Sequence, residues 1–225
     1  FIEKNDSKTT LADLTPSKAK QKDALIIPGY ETYEGIDPNI PVAISTIWND
    51  EIDEYVAGGG TMLLFVRDNT QIHGGLGLTM GEAGYILGAL PGCNFWGYIN
   101  TERGLFKGIP SENPMGWPFL KVLASRSSQG PRRPRTIAGL DAANKDDILI
   151  GCYSEWLRSR SAQGLVPGEV VGLIVQYKYK SGRIIVSTLD LIEHLSSDPV
   201  ATIMLNDLIE YCFTDFKPET RLPPF

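Results

Sequence analysis

Short apolar runs punctuated by glycine and proline read as strands joined by helices. Ala24-Leu25-Ile26-Ile27 is apolar without alternation and stops at Pro28-Gly29, the pattern of a strand buried on both faces. A loop is expected over Tyr30–Pro41, with two prolines and Gly35. Ile44, Ile47, Trp48, Ile52, Tyr55 and Val56 then recur at steps that predict one helical stripe over Ile44–Ala57. Gly58-Gly59-Gly60 ends that helix, and Thr61–Val66 follows at once as a strand. Strand, helix, glycine turn and strand form a βαβ unit, which joins parallel strands.

The middle of the chain is less regular. Gly74, Gly75, Gly77, Gly81, Gly84, Gly88 and Gly92 make residues 67–98 glycine-rich, with a short helix expected over Met80–Leu90. Residues 99–135 read as a long excursion, interrupted by Gly104, Gly108, Pro110, Pro114, Gly116 and Pro118. Loops of this length are uncommon in compact domains unless they do something. Trp117 or Phe119 is expected to pin it to the domain. Ile148–Tyr153 and Val170–Tyr179 read as strands, Ser181-Gly182 as a hairpin turn and Arg183–Leu189 as a further buried strand. Asp198 suits an N-cap and Pro199 the first helical position. The helix after them carries Val200, Ile203, Met204, Leu208, Ile209 and Cys212 on one face. Residues 1–23 read as an irregular entry segment and 216–225 as an extended tail. The expectation is one α/β domain over 1–225, three-layered, with a mainly parallel sheet and helices on both faces. Ala24–Ile27, Met62–Val66 and Arg183–Leu189 are its expected interior strands.

Composition narrows the function. The chain has 225 residues, 42% hydrophobic content and a net charge of −6. That balance is the opposite of a nucleic-acid binder's, and no run approaches the ~20 apolar residues of a membrane span. Neither nucleic acid nor a membrane is therefore an expected partner. The cluster Arg132, Arg133 and Arg135 between prolines reads as a solvated loop rather than an anion site. A start at Phe1 without Met is expected of a piece of a longer chain. The compartment stays open, with a soluble, secreted or periplasmic parent among the choices.

Candidate chemistry is sparse. Cys93, Cys152 and Cys212 are widely spaced and describe neither a disulfide framework nor a zinc site; Cys212 ends an apolar stripe and reads as a core residue. The histidines are His73 and His194, and no metal-ligand spacing occurs. Gly75-x-Gly77-x-x-x-Gly81 resembles a dinucleotide fingerprint. The preceding strand ends near Val66, too early for the turn that motif needs, so no cofactor is expected. Cys93, in Pro91-Gly92-Cys93-Asn94, is the one candidate nucleophile with a glycine beside it, and His194 with Glu193 is a candidate base pair for it. A Gly-x-Cys-x-Gly elbow is missing. Acidic residues offer many conceivable pairs for glycoside hydrolysis, and the sequence singles out none. Tyr30, Trp96, Trp117 and Trp156 lie in irregular segments and are candidate sugar or partner contacts, with covering the core as the plainer reading.

Two stretches carry a resemblance. Val171-Gly172-Leu173-Ile174-Val175-Gln176-Tyr177, Gly182 through Leu191, and Asp198-Pro199-Val200-Ala201 with Leu205 and Leu208 through Tyr211 resemble the end of the amidotransferase-like C-terminal domains of glycoside hydrolase family 2 proteins. Ile52–Val66 resembles the middle of those domains, and Phe106-Lys107-Gly108-Ile109-Pro110 a short segment before their long loop. The similarity covers about half the chain. It implies a class I glutamine-amidotransferase-like, flavodoxin-like fold in a domain that follows a sugar-cleaving barrel. It also implies no catalytic residue, because the cleaving glutamates belong to the barrel. The expected partners are the rest of a larger glycoside hydrolase or a like subunit. The alternatives are a carbohydrate-binding module using loop aromatics and an independent amidase- or esterase-type hydrolase using Cys93 or a loop serine.

Overall fold

The computed structural model describes residues 24–27, 36, 38–66, 76, 78–82, 97–109, 117–119, 121–123, 135–138, 140, 146–153 and 170–222. In chain order the strands are β1 (Ala24–Ile27), β2 (Val42–Ser45), β3 (Thr61–Phe65), β4 (Thr79–Glu82), β5 (Gly97–Ile99), β6 (Arg135–Ala138), β7 (Ile148–Tyr153), β8 (Val170–Tyr179) and β9 (Gly182–Ser187). The helices are α1 (Asp50–Ala57) and α2 (Pro199–Cys212). The strands form one sheet in the order β1-β2-β3-β9-β8-β6-β4, with β7 beside β8 and β5 beside β7. The protein is thus an α/β fold on a mixed sheet.

The expectation of a mainly parallel sheet is corrected. β1, β2, β3 and β9 pair in parallel, and every other pairing is antiparallel. β8 and β9 are joined by a two-residue hairpin turn, which obliges them to run in opposite directions. β1 is also not interior, since among the described residues it pairs with β2 alone. The strand expected over Arg183–Leu189 ends at Ser187.

The helix expected from Ile44 begins at Asp50, and the residues before it form β2. Val42-Ala43-Ile44-Ser45 is fully buried, with branched side chains that fit a pleat better than a helical turn. Asn49 sets the helix start, because its side chain accepts from the Ile52 N–H at 2.9 Å. Asp50, Glu51 and Asp53 in the first turn complement the positive end of the helix. The βαβ unit is therefore β2–α1–β3. The helix expected over Met80–Leu90 is corrected in part: Thr79–Glu82 is β4, and the remainder lies outside the described residues. Gly59 takes the positive φ of the turn after α1, at 116°, where a side chain would be strained.

Alternate residues of the central strands feed two separate cores. Val42, Ile44, Leu63, Phe65 and Ile185 join the cluster that contains the buried face of α2. Ala43, Met62, Leu64, Ile184 and Val186 join the one that contains Ile52, Tyr55 and Val56 of α1. This is the period-two alternation of strand side chains. On α2, Met204, Leu205 and Leu208 are fully buried. Each such side chain stabilises by about 1.5–3 kcal/mol, so packing rather than propensity holds the helix.

Asp198 caps α2 by accepting from the Val200 and Ala201 N–H groups at 3.0 and 3.1 Å. Asp198→Ala is expected to cost roughly 1–2 kcal/mol, read as a lower urea midpoint with an unchanged slope. Lys121 lies 3.7 Å from Asp198 and is exposed, so it adds little.

Candidate functional site

Ligand sites in open α/β sheets form beyond the carboxyl ends of the parallel strands. Here those ends are Ile27 on β1, Ser45 on β2, Phe65 on β3 and Ser187 on β9, and the hydroxyl groups of Ser45, Ser187 and the adjoining Thr188 are committed to the backbone. Ser45 Oγ donates to the Ile47 carbonyl at 2.8 Å and accepts from the Ile47 N–H at 3.0 Å. Ser187 Oγ accepts from the Leu189 N–H at 3.3 Å. Thr188 Oγ1 donates to the Leu173 carbonyl at 3.1 Å. All three residues are buried, so none presents a nucleophile to solvent.

The long excursion reaches this end. Phe119, Val122 and Leu123 are buried in the α2-side core with Leu189, Leu191 and Leu195. The Asp190 N–H donates to the Val122 carbonyl at 2.9 Å. Phe119 is the anchor that the structure describes; Trp117 belongs to the one-turn helix Trp117–Phe119. The segment after β9 is thus tied to this part of the excursion and shares an apolar cluster with it.

His194 lies in the turn that leads from β9 to α2. Its carbonyl accepts from the Ser197 and Asp198 N–H groups at 3.2 and 2.9 Å, and from Ser197 Oγ at 3.1 Å. These bonds close the turn, and its imidazole is half-buried. Cys93, the nucleophile proposed for it, lies outside the described residues, as do Tyr30, Trp96 and Trp156. Cys212 is fully buried, and burial pushes its thiol up to about 12. It is a core residue, unreactive at neutral pH. Among the described residues, no group of His, Cys, Asp and Glu could hold a metal ion.

A concave feature among the described residues lies elsewhere, along α2 toward its C-terminus. It is an open groove of about 440 Å³ between the segment Arg103–Gly108 and the helix residues Ile203, Asp207, Glu210 and Tyr211. One wall carries Arg103 and Lys107, the other Asp207 and Glu210. Arg103 is anchored through its guanidinium, which donates to the Asp146 carbonyl at 3.1 Å. Asp207 is anchored too, accepting from the Phe106 N–H at 2.8 Å across the chain's fold. Phe106 holds a φ of 60°, a strained value for a bulky residue, and its ring is buried in the core. Burial pushes the Tyr211 phenol up, an effect that the nearby Arg103 charge partly offsets. No ion pair joins the two walls among the described residues.

Burial raises the Asp207 carboxyl above its ordinary 3.8, the Phe106 N–H opposes that, and the Glu210 charge adds to it. The native state therefore binds this proton more tightly than the unfolded chain does. Stability from this group is full at low pH and is lost as pH rises through the raised value. Asp207→Asn keeps an acceptor for Phe106 and has no proton to lose. The variant is expected to lack this part of the acid-range pH dependence while matching or exceeding the parent at neutral pH. Urea midpoints at several pH values test this; parallel pH profiles for the two proteins would refute it.

The residues that line the groove include no nucleophile–base pair. None of its residues was singled out by sequence as a site residue. The one local signal is a last turn of α2 with no basic residue and carboxylates at Asp207 and Glu210, against the helix dipole. Comparison with protein-family models and with curated proteins finds no match for this chain.

Proposed function

We propose that the chain is a non-catalytic accessory domain of a larger glycoside hydrolase, which packs on the catalytic part or mediates contacts between like subunits. In this reading the fold is three-layered, amidotransferase-like and flavodoxin-like, with α1 and α2 on opposite faces of the sheet. The observation that carries it is the buried, backbone-bonded carboxyl end of β9. A catalytic site at this end of the sheet would need an exposed nucleophile. Instead Ser187 and Thr188 are buried and bonded to main-chain groups.

A second observation favours the same reading. The two stretches that resemble family 2 accessory domains are far apart in sequence and adjacent in space. β3, from one, pairs with β9, from the other, in register from Thr61–Arg183 to Phe65–Ser187. α1 and α2, from the same two stretches, feed the opposite cores.

The test is the coding sequence upstream of Phe1. A sugar-hydrolase barrel there is the expected result, and its absence from the parent protein removes the reading. Activity is a second check. The chain is expected not to turn over aryl glycosides, glutamine or simple esters. Turnover that vanished on Cys93→Ala or His194→Ala would replace this reading with that of an independent hydrolase.

A further inference from the structure

The groove on α2 has an unusual charge plan. Arg103 and Lys107 stand on one wall, Asp207 and Glu210 on the other, and no ion pair closes the gap among the described residues. Lys107 lies back along its own loop: a Cβ added at Gly104 would come within 3.5 Å of its Cε and 3.6 Å of its Nζ. Gly108 and Ile203 lie between the walls, where a Cβ at 108 would sit 3.6 Å from the Ile203 side chain. Lys107 and Glu210 are exposed, while Arg103 and Asp207 are half-exposed and anchored from behind. The feature is open and charged along both walls, unlike the enclosed pockets that hold small molecules.

Two cations facing two anions make a surface that is its own complement. A two-fold axis through the floor at Gly108 and Ile203 lays the cationic wall of one copy on the acidic wall of the other, and the reverse. All four charges then find opposite partners at once, which is the self-complementarity that an isologous interface requires. We propose that this groove is a contact between two copies of the chain, each inserting its Arg103–Gly108 segment against the other's α2. The proposal deepens the reading of the domain as a mediator of contacts between like subunits, and rests on it for the identity of the partner. The two fail separately: the hydrolase reading on the upstream sequence, this one on particle mass.

The acidic last turn of α2 then has a role. Carboxylates at the C-terminal end of a helix are disfavoured by its dipole, and a partner's Arg103 and Lys107 add positive charge there. Because the pairs lie at an open site, salt should loosen the contact. The Debye length falls from about 10 Å at 0.1 M to about 3 Å at 1 M. Association is expected to weaken roughly tenfold over that range.

The test uses the full-length protein that carries this chain, with mass read by sedimentation or light scattering. One variant alters the cationic wall, Arg103→Gln with Lys107→Glu, leaving the groove all acidic. The other alters the acidic wall, Asp207→Asn with Glu210→Lys, leaving it all basic while keeping an acceptor for the Phe106 N–H. Each alone is expected to lose association at this surface and fall in mass. Mixed in equal amounts, they are expected to recover it as a heterodimer, which two misfolded proteins would not do. Unchanged mass for either variant alone, or lost mass that mixing fails to restore, overturns the proposal. So does association of the parent protein that is indifferent to salt.

Discussion

Gly182→Ala is expected to lower stability by about 3 kcal/mol or more, or to stop the chain folding. A Cβ at this position would stand 2.1 Å from the Val56 carbonyl oxygen and 2.5 Å from that of Gly60. Both are backbone atoms, so neither can swing aside as a side chain would. Retreat would pull on the hydrogen bond from the Arg183 N–H to the Gly60 carbonyl, 3.1 Å long. Arg183 in turn donates to the Thr214 and Phe216 carbonyls, each at 3.0 Å, and to Thr61 Oγ1 at 2.8 Å. One methyl group would therefore disturb the end of α1, the start of β9 and the segment after α2 together. At about 2–4 °C per kcal/mol for a domain of this size, the midpoint should fall by roughly 10 °C. A variant melting within about 2 °C of the parent would mean that the backbone approach at Gly182 is looser than described.

Asp147→Ala is expected to cost about 3–5 kcal/mol, the range for breaking a buried charged hydrogen-bond set. Asp147 is 2% exposed and accepts four donors. Gln176 Nε2 reaches one carboxylate oxygen at 2.7 Å. The N–H groups of Glu219 and Thr220 reach the other at 2.9 and 2.6 Å, together with the Thr220 hydroxyl at 2.6 Å. Gln176 passes the network on, accepting from the Tyr211 hydroxyl at 2.9 Å. Without the carboxylate these donors stay buried with nothing to bond. Asp147→Asn should also be costly, because its amide brings N–H groups to a place crowded with donors. Hydrogen exchange gives a local check. The Leu222 N–H, bonded to the Lys178 carbonyl at 3.1 Å, should lose protection in both variants ahead of the β3–β9 pairs. Protection equal to the parent's would contradict the network as described.

Elements with local signals were legible in the sequence. α2 begins at Pro199 because Asp198 and Pro199 announce it, and the β8–β9 hairpin turns at Lys180-Ser181, next to the expected Ser181-Gly182. β2 was obscured by coincidence: Ile44, Ile47 and Trp48 continue the stripe of α1, although Asn49, the true cap, stands between them and the helix. Strand direction was not legible, because a strand's own residues do not state which way its neighbour runs. Gln176 was also hidden, an amide in an apolar run whose partners Asp147 and Tyr211 lie 29 and 35 residues away. The groove was less visible still. Its walls are joined by a bond between residues 101 positions apart, and periodicity carries no information at that separation.

The pairing of β3 with β9 has a consequence for synthesis. Thr61 and Arg183 are 122 residues apart, so the strand that closes this edge of β3 is made long after β3 itself. At about 5–20 residues per second, the ribosome leaves Thr61-Met62-Leu63-Leu64-Phe65 waiting for roughly 6–25 s. Throughout that interval an unpaired, uncharged apolar edge stands open, the kind of segment prone to join strands of other chains. Yield in a cell should therefore depend on chaperone capacity and translation speed more than the stability of the finished fold would suggest.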